Sequence, residues 1–226
     1  MGTPVVVSFI GQKGGVGKST LARALAVVAA NGKLRVELID LDFGQQTAAR
    51  WAQTRRSKRE QVQVKSAAYS SVDEALSKVN GADLVVIDTP GFLSSDTLEI
   101  ARRSDFIILP TGCSSDDLHP TTAVLYELQQ QGISKERLCV ALCRLIDDQE
   151  ESWARRYLTK AGHPALEGSI PEHKAYRNAQ STGRAVTETS EAHLNERAYQ
   201  LVGSVLKKIL LQVRSNRVQA TGPRER

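Results

Sequence analysis

Gly11-Gln-Lys-Gly-Gly-Val-Gly-Lys-Ser-Thr20 is the stretch of the sequence that decides the fold. A short β-branched run precedes it at residues 5–10, and good helix formers follow at residues 19–31, with Gly32 as the predicted helix stop. The sequence therefore predicts a strand, a glycine-rich loop and a helix, in that order. In this setting the glycines can turn several backbone N–H groups towards a phosphate, and the helix N-terminus adds partial positive charge.

The residues at the end of this loop have the chemistry that nucleotide phosphates require. The usual phosphate-loop pattern, G-x-x-x-x-G-K-[ST], is met except at Gln12, which stands where the pattern has its first glycine. Lys18 is expected to reach the β- and γ-phosphates, and the hydroxyl of Ser19 is expected to bind Mg²⁺. The loop therefore predicts a site for a nucleoside triphosphate.

The rest of the chain alternates apolar strands with helices. Strands are predicted at residues 35–40, 62–65, 83–88, 105–110, 138–145 and 169–170, and helices at residues 47–58, 71–79, 116–131, 150–161 and 191–213. This alternation predicts one doubly wound α/β domain over residues 1–213, with a mostly parallel sheet and helices on both faces. Residues 214–226 are polar and basic, and we predict a disordered tail there.

Length and composition restrict the class of protein. A chain of 226 residues with 41% hydrophobic residues can bury a substantial core, which excludes a disordered or fibrous protein. Its longest apolar runs are far shorter than the roughly 18 to 20 residues of a membrane span. The first residues lack a secretory signal and the three cysteines are sparse, so we expect a cytoplasmic protein. Cys139 and Cys143 are predicted to lie in a buried strand rather than to bind a metal.

Acidic residues stand at the ends of two predicted strands. Asp40 and Asp42 occur in Leu38-Ile-Asp-Leu-Asp-Phe43, and Asp88 occurs in Leu84-Val-Val-Ile-Asp-Thr-Pro-Gly91. Ligands of open α/β sheets bind at the carboxyl ends of the strands, so these carboxylates are expected near the phosphate loop. An apolar strand that ends in Asp is typical of a Walker B segment, which delivers one carboxylate to Mg²⁺, usually through water.

The net charge of +5 is unevenly distributed. Residues 197–226 contain seven Lys or Arg residues and one acidic residue, so the basic charge concentrates at the C-terminal end. This imbalance indicates a polyanionic partner, which is either nucleic acid or an anionic membrane surface. A solvated helix face with a frayed tail has the same composition, and the sequence leaves that alternative open.

Lys13-Gly-Gly-Val-Gly-Lys-Ser19 resembles the deviant Walker A family, K-G-G-x-G-K-[ST], to which the ParA and MinD ATPases belong. The similarity spans roughly residues 4–210 and is closest to small plasmid-type ParA partition proteins without an N-terminal helix-turn-helix. The resemblance implies a P-loop NTPase fold, ATP and Mg²⁺ as cofactors, and a homodimer formed on ATP binding. In that family the early lysine, here Lys13, crosses the dimer interface to the nucleotide of the partner subunit, much as an arginine finger does.

The resemblance also implies roles for individual residues. The implied catalytic residues are Lys13, Lys18 and Asp42, with Asp42 positioning the attacking water. The implied ATP-binding residues are Gly14, Gly15, Val16, Gly17, Lys18, Ser19, Thr20 and Pro171, with Pro171 at the adenine. Ser19, Asp40 and Asp88 are implied at the Mg²⁺, and Asp42, Thr89, Pro90 and Gly91 in the switches. The sequence departs from the family at Phe43 and Gly44, where Pro and Gln are common, and at Cys143-Arg144, where Asn or Thr is common.

Our leading hypothesis is a ParA-like partition or positioning ATPase. It would bind DNA non-specifically in the ATP state through Lys207, Lys208, Arg214 and Arg217, as a nucleoid-associated protein. A centromere-binding or cargo adaptor would stimulate its slow hydrolysis and release it. A MinD-like membrane-positioning ATPase, with the last helix as an amphipathic anchor, remains the alternative, although the segment after that helix lacks Trp, Phe and Leu. The third hypothesis is a metabolic or electron-transfer relative, and an iron–sulfur protein of this kind would need paired cysteines at a dimer axis.

Overall fold

The computed structural model describes residues 3–58, 61–91 and 96–221, with side chains described as far as Leu211. Seven strands make up the sheet: β1 (Val5–Phe9), β2 (Val36–Asp40), β3 (Lys65–Ala68), β4 (Leu84–Asp88), β5 (Phe106–Thr111), β6 (Leu138–Leu145) and β7 (Ile170–Pro171). Eight α-helices are described: α1 (Lys18–Asn31), α2 (Thr47–Arg56), α3 (Val72–Lys78), α4 (Asp96–Arg103), α5 (Ser115–Gln130), α6 (Asp148–Lys160), α7 (Lys174–Ser181) and α8 (Ala192–Thr221). A short 3₁₀ helix, Lys135–Arg137, precedes β6.

The strand order is β3-β2-β4-β1-β5-β6-β7, and every pair of neighbours is parallel. The register aligns the last residues of the three central strands, because Asp88 pairs with Phe9 on one side and with Asp40 on the other. The loops that follow β1, β2 and β4 therefore leave the sheet side by side. This register brings the phosphate loop and both acidic segments to one edge.

The sheet separates two apolar cores, and β1 contributes to both. Val5, Val7 and Phe9 face the core that contains α1, α2, α7 and α8. Val6 and Ile10 face the other core, which contains α3, α4, α5 and α6. A central strand that is buried on both faces reads as a continuous apolar run, and this explains the composition of residues 5–10. The predicted doubly wound α/β fold is confirmed.

Strand β3 and helices α4 and α7 differ from the sequence prediction. Strand β3 lies at Lys65–Ala68 rather than at residues 62–65, and it has no β-branched residue that would have marked it. Helices α4 and α7 were not predicted. Each buries few side chains, and the buried residues of α7 are two alanines and Tyr176, so neither sequence shows a strong helical stripe of large apolar residues.

Helix α8 was predicted to end at residue 213 but continues to Thr221. The first part of the tail that we predicted to be disordered is therefore helical, and residues 222–226 lie outside the described residues. The polar composition after residue 213 misled the prediction, because a helix that is already propagating adds polar residues at little cost. Within the described part of the chain, no helix combines the length and the apolarity that crossing a membrane requires.

Candidate nucleotide site

The phosphate loop (residues 11–17) enters α1 through a left-handed glycine. Gly17, the residue before α1, has φ 110°, a conformation that side chains rarely adopt. A Cβ atom at this position would lie 3.2 Å from the Sγ atom of Cys143 on β6. The loop is therefore pressed against the sheet at Gly17, and the glycine of the sequence motif has a steric reason in this fold.

Lys18 closes the loop on itself. Its Nζ atom donates a hydrogen bond of 2.9 Å to the backbone carbonyl of Lys13, and the residue is only 5% exposed. Burial lowers the pKa of Lys18, while the nearby carboxylates of Asp88 and Asp42 act in the opposite direction. A buried ammonium group held by one carbonyl has donors left for an anionic ligand.

A cavity of about 220 Å³ lies in front of the loop. It is lined by the predicted residues Gly14, Gly15, Gly17, Lys18, Ser19, Thr20, Asp42, Thr89 and Gly91, and also by Gln45 and Thr47. Gly91 packs closely against the loop, since a Cβ atom there would lie 3.1 Å from the Cα atom of Gly14. Val16 and Pro90, which were also predicted, are not among the lining residues. Their contribution would come from the backbone and from the shape of the loops.

The segment after β2 is held by its own carboxylates. Asp40 is fully buried, and its two oxygens accept hydrogen bonds from the backbone N–H groups of Asp42 (3.0 Å), Ala48 (2.8 Å) and Ala49 (3.1 Å). Burial raises the pKa of Asp40, and these backbone donors oppose the shift. Asp42 accepts a hydrogen bond of 3.0 Å from the N–H of Gln45 and lines the phosphate cavity. Asp40 thus fixes the start of α2, and Asp42 faces the phosphate cavity.

Asp88 is the most unusual carboxyl group of the site. It is fully buried, and neither of its oxygens has a hydrogen-bond partner. Burial raises its pKa to about 7, although the Ser19 hydroxyl that faces it and the cations of Arg23 and Lys18 oppose this shift. A buried, unpaired carboxylate calls for a cation, and Mg²⁺ prefers oxygen ligands of this kind. Asp88 and the hydroxyl of Ser19 therefore fit the predicted metal site.

The second predicted switch, which consists of Thr89, Pro90 and Gly91 after β4, is held at the end of β1. Thr89 Oγ1 donates a hydrogen bond of 2.8 Å to the backbone carbonyl of Phe9. The first predicted switch is the segment of Asp42 after β2, and at its far end the hydroxyl of Thr47 in α2 lies 3.4 Å from the hydroxyl of Ser19 in α1. The sequence analysis missed Thr47, because a threonine at the start of a helix is ordinarily explained as a helix-capping residue.

A second cavity, of about 320 Å³, continues from the first. Gly15, Gly17 and Thr20 line both, and the second is also lined by Cys143, Arg144, Ile170, Pro171, Glu172, His173, Tyr176, Arg177 and Gln180. Its volume suits a small organic group, and its continuity with the phosphate cavity suits the ribose and base of a nucleotide. Pro171, for which the resemblance implies a contact with the adenine, is among the residues that line this second cavity. Gln180 was missed, although its Oε1 accepts hydrogen bonds of 3.2 Å from both Thr20 and Arg23.

Lys13 points along the open rim of the loop. Its Nζ atom lies 3.1 Å from Oδ1 of Asp117, at the start of α5, and its side chain is 42% exposed. Burial alone would raise the pKa of Asp117, but hydrogen bonds from Ser114 and Lys13 outweigh it and lower the pKa. Lys13 is not among the residues that line the phosphate cavity of its own chain.

The three cysteines pack as small apolar side chains. Cys139 and Cys143 lie in the buried strand β6, as predicted, and all three cysteines are free and buried. Burial raises the pKa of Cys113 and of Cys143 to about 12. Thiols in this state are protonated at neutral pH and make poor metal ligands.

The basic residues predicted to bind DNA lie at the other end of the sheet. Lys207 and Lys208 are exposed on α8 and, with Lys135, surround a groove of about 620 Å³ whose floor includes Leu138 and Cys139. We call this the lysine groove. It opens at the start of β6, whereas the nucleotide cavities lie at the end of β6. Arg214 and Arg217 are on the same helix, but their side chains lie outside the described residues.

Comparison with known proteins agrees with this geometry. A model of the "CobQ/CobB/MinD/ParA nucleotide binding domain" family matches residues 7–214. "Maintenance of carboxysome distribution protein A" of Gloeobacter kilaueensis is 34% identical over 191 residues, covering 82% of this chain and 85% of that protein. The solved structure of the Pyrococcus furiosus cell division ATPase MinD has a TM-score of 0.71 at 17% identity and covers 91% of this chain and 100% of that one. A Borrelia burgdorferi B31 protein described as a plasmid partition protein, bound to AMPPNP, has a TM-score of 0.72 at 18% identity with the same coverage.

Proposed function

The chain belongs to the CobQ/CobB/MinD/ParA nucleotide-binding family, and from this premise we propose that it is a ParA-like ATPase that dimerises on ATP and positions a cargo. Two subunits face each other across their phosphate loops and enclose two ATP molecules. The relatives named above are described by carboxysome distribution, cell division and plasmid partition, and the first and last of these descriptions name the distribution of a cargo. These names support positioning as the task, and they leave the cargo of this chain open.

The observation that carries the proposal is the orientation of Lys13. A lysine that served only its own phosphate loop would face the cavity in front of that loop, as Lys18 does. Lys13 instead lies on the open rim, partly exposed, with Asp117 as its ion-pair partner. A cation in this position can be delivered to the nucleotide of a second subunit, where it neutralises charge that develops on the transferred phosphoryl group.

The other site residues take roles that match their contacts. Lys18 donates to the β- and γ-phosphates from inside the loop. Asp42 lies on the cavity wall, where its free oxygen can orient the attacking water. Thr89 and Gly91 hold the second switch against the end of β1 and against Gly14, so the switch can respond to the γ-phosphate. Positioning and charge stabilisation of this kind supply most of the catalysis in phosphoryl transfer.

Mg²⁺ would be held by the Ser19 hydroxyl and by Asp88, which is unpaired and fully buried. When bound, the ion supplies positive charge at the terminal phosphates. Asp40 would act indirectly, because its oxygens already accept hydrogen bonds from the N–H group of Asp42 and from two N–H groups at the start of α2. Its contribution is to hold Asp42 and Thr47 at the cavity.

In the ATP state the dimer binds DNA non-specifically through Lys207, Lys208, Arg214 and Arg217, and acts on the nucleoid in the cytoplasm. Contacts to phosphates give affinity that does not depend on base sequence. A centromere-binding or cargo adaptor then stimulates hydrolysis, which is slow in its absence, and the dimer is released. The concentration of basic charge at the C-terminal end of the chain supports this part of the proposal.

The proposal is tested with Lys13→Gln and light scattering. The wild type is expected to change from monomer to dimer when ATP and Mg²⁺ are added, and Lys13→Gln is expected to remain monomeric. ATP affinity of the monomer should stay within about threefold, because Lys18 is hydrogen-bonded to the carbonyl of Lys13 and not to its side chain. Lys78→Gln, at an exposed lysine on α3, is the matched control and should dimerise normally. Normal ATP-driven dimerisation of Lys13→Gln would refute the proposal.

A second candidate function is the MinD-like association with a membrane. It is favoured by Leu210 and Leu211 on α8, which are 44% and 58% exposed beside Lys207 and Lys208. Apolar side chains flanked by lysines suit an anionic lipid surface. Deleting the helix would not test this candidate, because Leu201, Val205 and Ile209 are buried in the core. The double variant Leu210→Ser/Leu211→Ser should abolish co-sedimentation with anionic liposomes if the candidate is right, and co-sedimentation should be absent from the wild type if it is wrong.

A further inference from the structure

Arg144 has a backbone conformation that its sequence does not suggest. Its φ angle is 60°, in the left-handed region that favours glycine, and it is one of three such non-glycine residues in the described chain. The register of β6 against β7 shifts between Cys143 and Leu145, so Arg144 is the bulged residue of the strand end. A bulge next to a cavity redirects a side chain that would otherwise lie along the sheet. Unfavourable backbone of this kind persists where the surroundings hold it.

Two contacts fix the plane of the redirected guanidinium group. Its Nε atom donates a hydrogen bond of 3.0 Å to Oε2 of Glu172, and its Nη1 atom lies 3.5 Å from the backbone carbonyl of Gly15 in the phosphate loop. The group therefore spans from the residue after β7 to the loop. Its side chain is 57% exposed, so one face remains open to a ligand.

The position of Arg144 indicates which part of a nucleotide it would meet. It lines the second cavity, which contains Pro171, and it is not among the residues that line the phosphate cavity. A triphosphate in the first cavity continues past Gly15 and Thr20, which the two cavities share. The group that enters the second cavity is then the ribose and base. A planar guanidinium group with an open face stacks well on an aromatic ring.

We propose that Arg144 is a nucleotide-binding residue whose guanidinium group stacks on the base. The inference rests on the proposed binding of ATP and deepens it, because it assigns the affinity for the base to a residue that the phosphate loop does not contain. Glu172 acts as a positioning residue, since it holds the plane of the guanidinium group. The bulge at Arg144 is then the structural device that turns the end of β6 into a wall of the base site.

Calorimetric titration of Arg144→Gly with ATP and with inorganic tripolyphosphate tests this assignment. Glycine suits the left-handed backbone, so the variant should fold and unfold at a temperature no lower than that of the wild type. We expect ATP affinity to fall about tenfold, within the range of one stacked base, while tripolyphosphate affinity stays within about twofold. Arg144→Lys keeps the charge without the planar group and should recover little of the loss.

Lys33→Gly is the matched control. Lys33 also has positive φ, at 67°, and it is an exposed cation after α1, so this variant removes the same charge and relieves the same backbone conformation. Its affinity for ATP should equal that of the wild type. If the wild type binds no ATP, the proposed function fails. Stacking by Arg144 is refuted, while ATP binding stands, if the wild type binds ATP and Arg144→Gly binds it with the same affinity. It is refuted equally if Arg144→Gly loses as much affinity for tripolyphosphate as for ATP, or if Arg144→Lys binds ATP as tightly as the wild type does.

Discussion

The two ends of the sheet hold their functional groups in different ways. At the nucleotide end, backbone geometry fixes each group: strand register aligns Asp40 with Asp88, and Gly17 fits under Cys143 with no room for a side chain. At the lysine groove, Lys207 and Lys208 stand exposed on the outside of α8. We therefore expect a substitution at the nucleotide end to remove most of the ATP affinity or none of it. A substitution at the lysine groove should instead lower the affinity for DNA in graded, salt-dependent steps.

The largest effect is expected when a glycine of the phosphate loop is replaced by alanine. Gly17→Ala puts a Cβ atom 3.2 Å from Cys143 Sγ in a residue with φ 110°. Backbone strain of roughly 1 to 3 kcal/mol corresponds to a loss of ATP affinity of up to about 100-fold, which calorimetry measures. Gly203→Ala on α8 is the matched control, because a Cβ atom there meets nothing within 4 Å. It should leave ATP affinity unchanged and raise the free energy of unfolding by up to about 1 kcal/mol.

Equal tolerance of the two alanines would break the comparison, since it would mean that the loop relaxes as freely as the surface of a helix. A loss of ATP affinity in Gly17→Ala that came with global unfolding would be visible as a lowered midpoint in urea. The variant is informative when its unfolding transition remains cooperative, because the loss then belongs to the loop.

Most of the nucleotide end could be predicted from the sequence, for a physical reason. The phosphate loop lies between adjacent elements, and Asp40 and Asp88 stand at the ends of apolar strands, so a local pattern encodes both their chemistry and their place. Parallel strands that end at one edge then bring these local features together. The predicted fold, the family and the placement of most loop residues around one cavity follow from this.

The parts that sequence analysis missed depend on contacts between distant residues. Gln180 lies on α7, a short helix whose buried residues are mostly alanines, and it accepts a hydrogen bond from Thr20, which is distant in the sequence. The side chain of Arg144 is directed by a bulge of β6 against β7, and no neighbouring residue in the sequence predicts a left-handed backbone there. The end of α8 was placed too early because polar composition does not by itself terminate a helix. In each case either the residue that fixes the geometry is distant in the sequence, or the local sequence has no pattern that predicts the structure.

A smaller, graded effect is expected at the lysine groove. The double variant Lys207→Ala/Lys208→Ala removes two of the proposed phosphate contacts, so the slope of log affinity against log salt for a random DNA duplex should fall by about 1.8 in the ATP state. At about 0.1 M salt the affinity itself should fall about tenfold or more. Fluorescence anisotropy across a salt series measures both quantities, and ATP affinity should be unchanged.

Lys78→Ala/Lys160→Ala is the control for net charge, because these lysines are exposed on α3 and at the end of α6. Its salt slope should equal that of the wild type. If the control lowers the slope as much as the groove variant does, DNA responds to the total charge of the protein and the groove has no special part in binding. If DNA binding does not depend on ATP at all, the proposed link between the two ends of the sheet is wrong.

Lys13 and Asp117 are the intermediate case, and the smallest effect is expected there. They lie at the nucleotide end, but their ion pair is partly exposed, at 42% and 27%, as a surface pair would be. Pairs of this kind contribute about 0.2 to 1 kcal/mol, which is at most about fivefold in an equilibrium. In the monomer the ion pair keeps Lys13 on its own rim, so the proposed dimerisation would have to break this pair before Lys13 could cross to the partner subunit.

Asp117→Asn removes the charge while keeping the shape of a side chain that also accepts a hydrogen bond of 2.7 Å from Ser114. Lys13 is then less firmly held in the monomer, and the protein concentration at which ATP drives half of the subunits into dimers should fall about threefold, as measured by analytical ultracentrifugation. Asp83→Asn, which removes a carboxylate of similar exposure that pairs with Arg35 before the start of β4, at the opposite end of the sheet, should leave this concentration unchanged. Weaker dimerisation of Asp117→Asn would show the opposite role, in which Asp117 presents Lys13 to the partner. In that case Lys13 would resemble the fixed groups of the loop rather than the graded lysines of the groove.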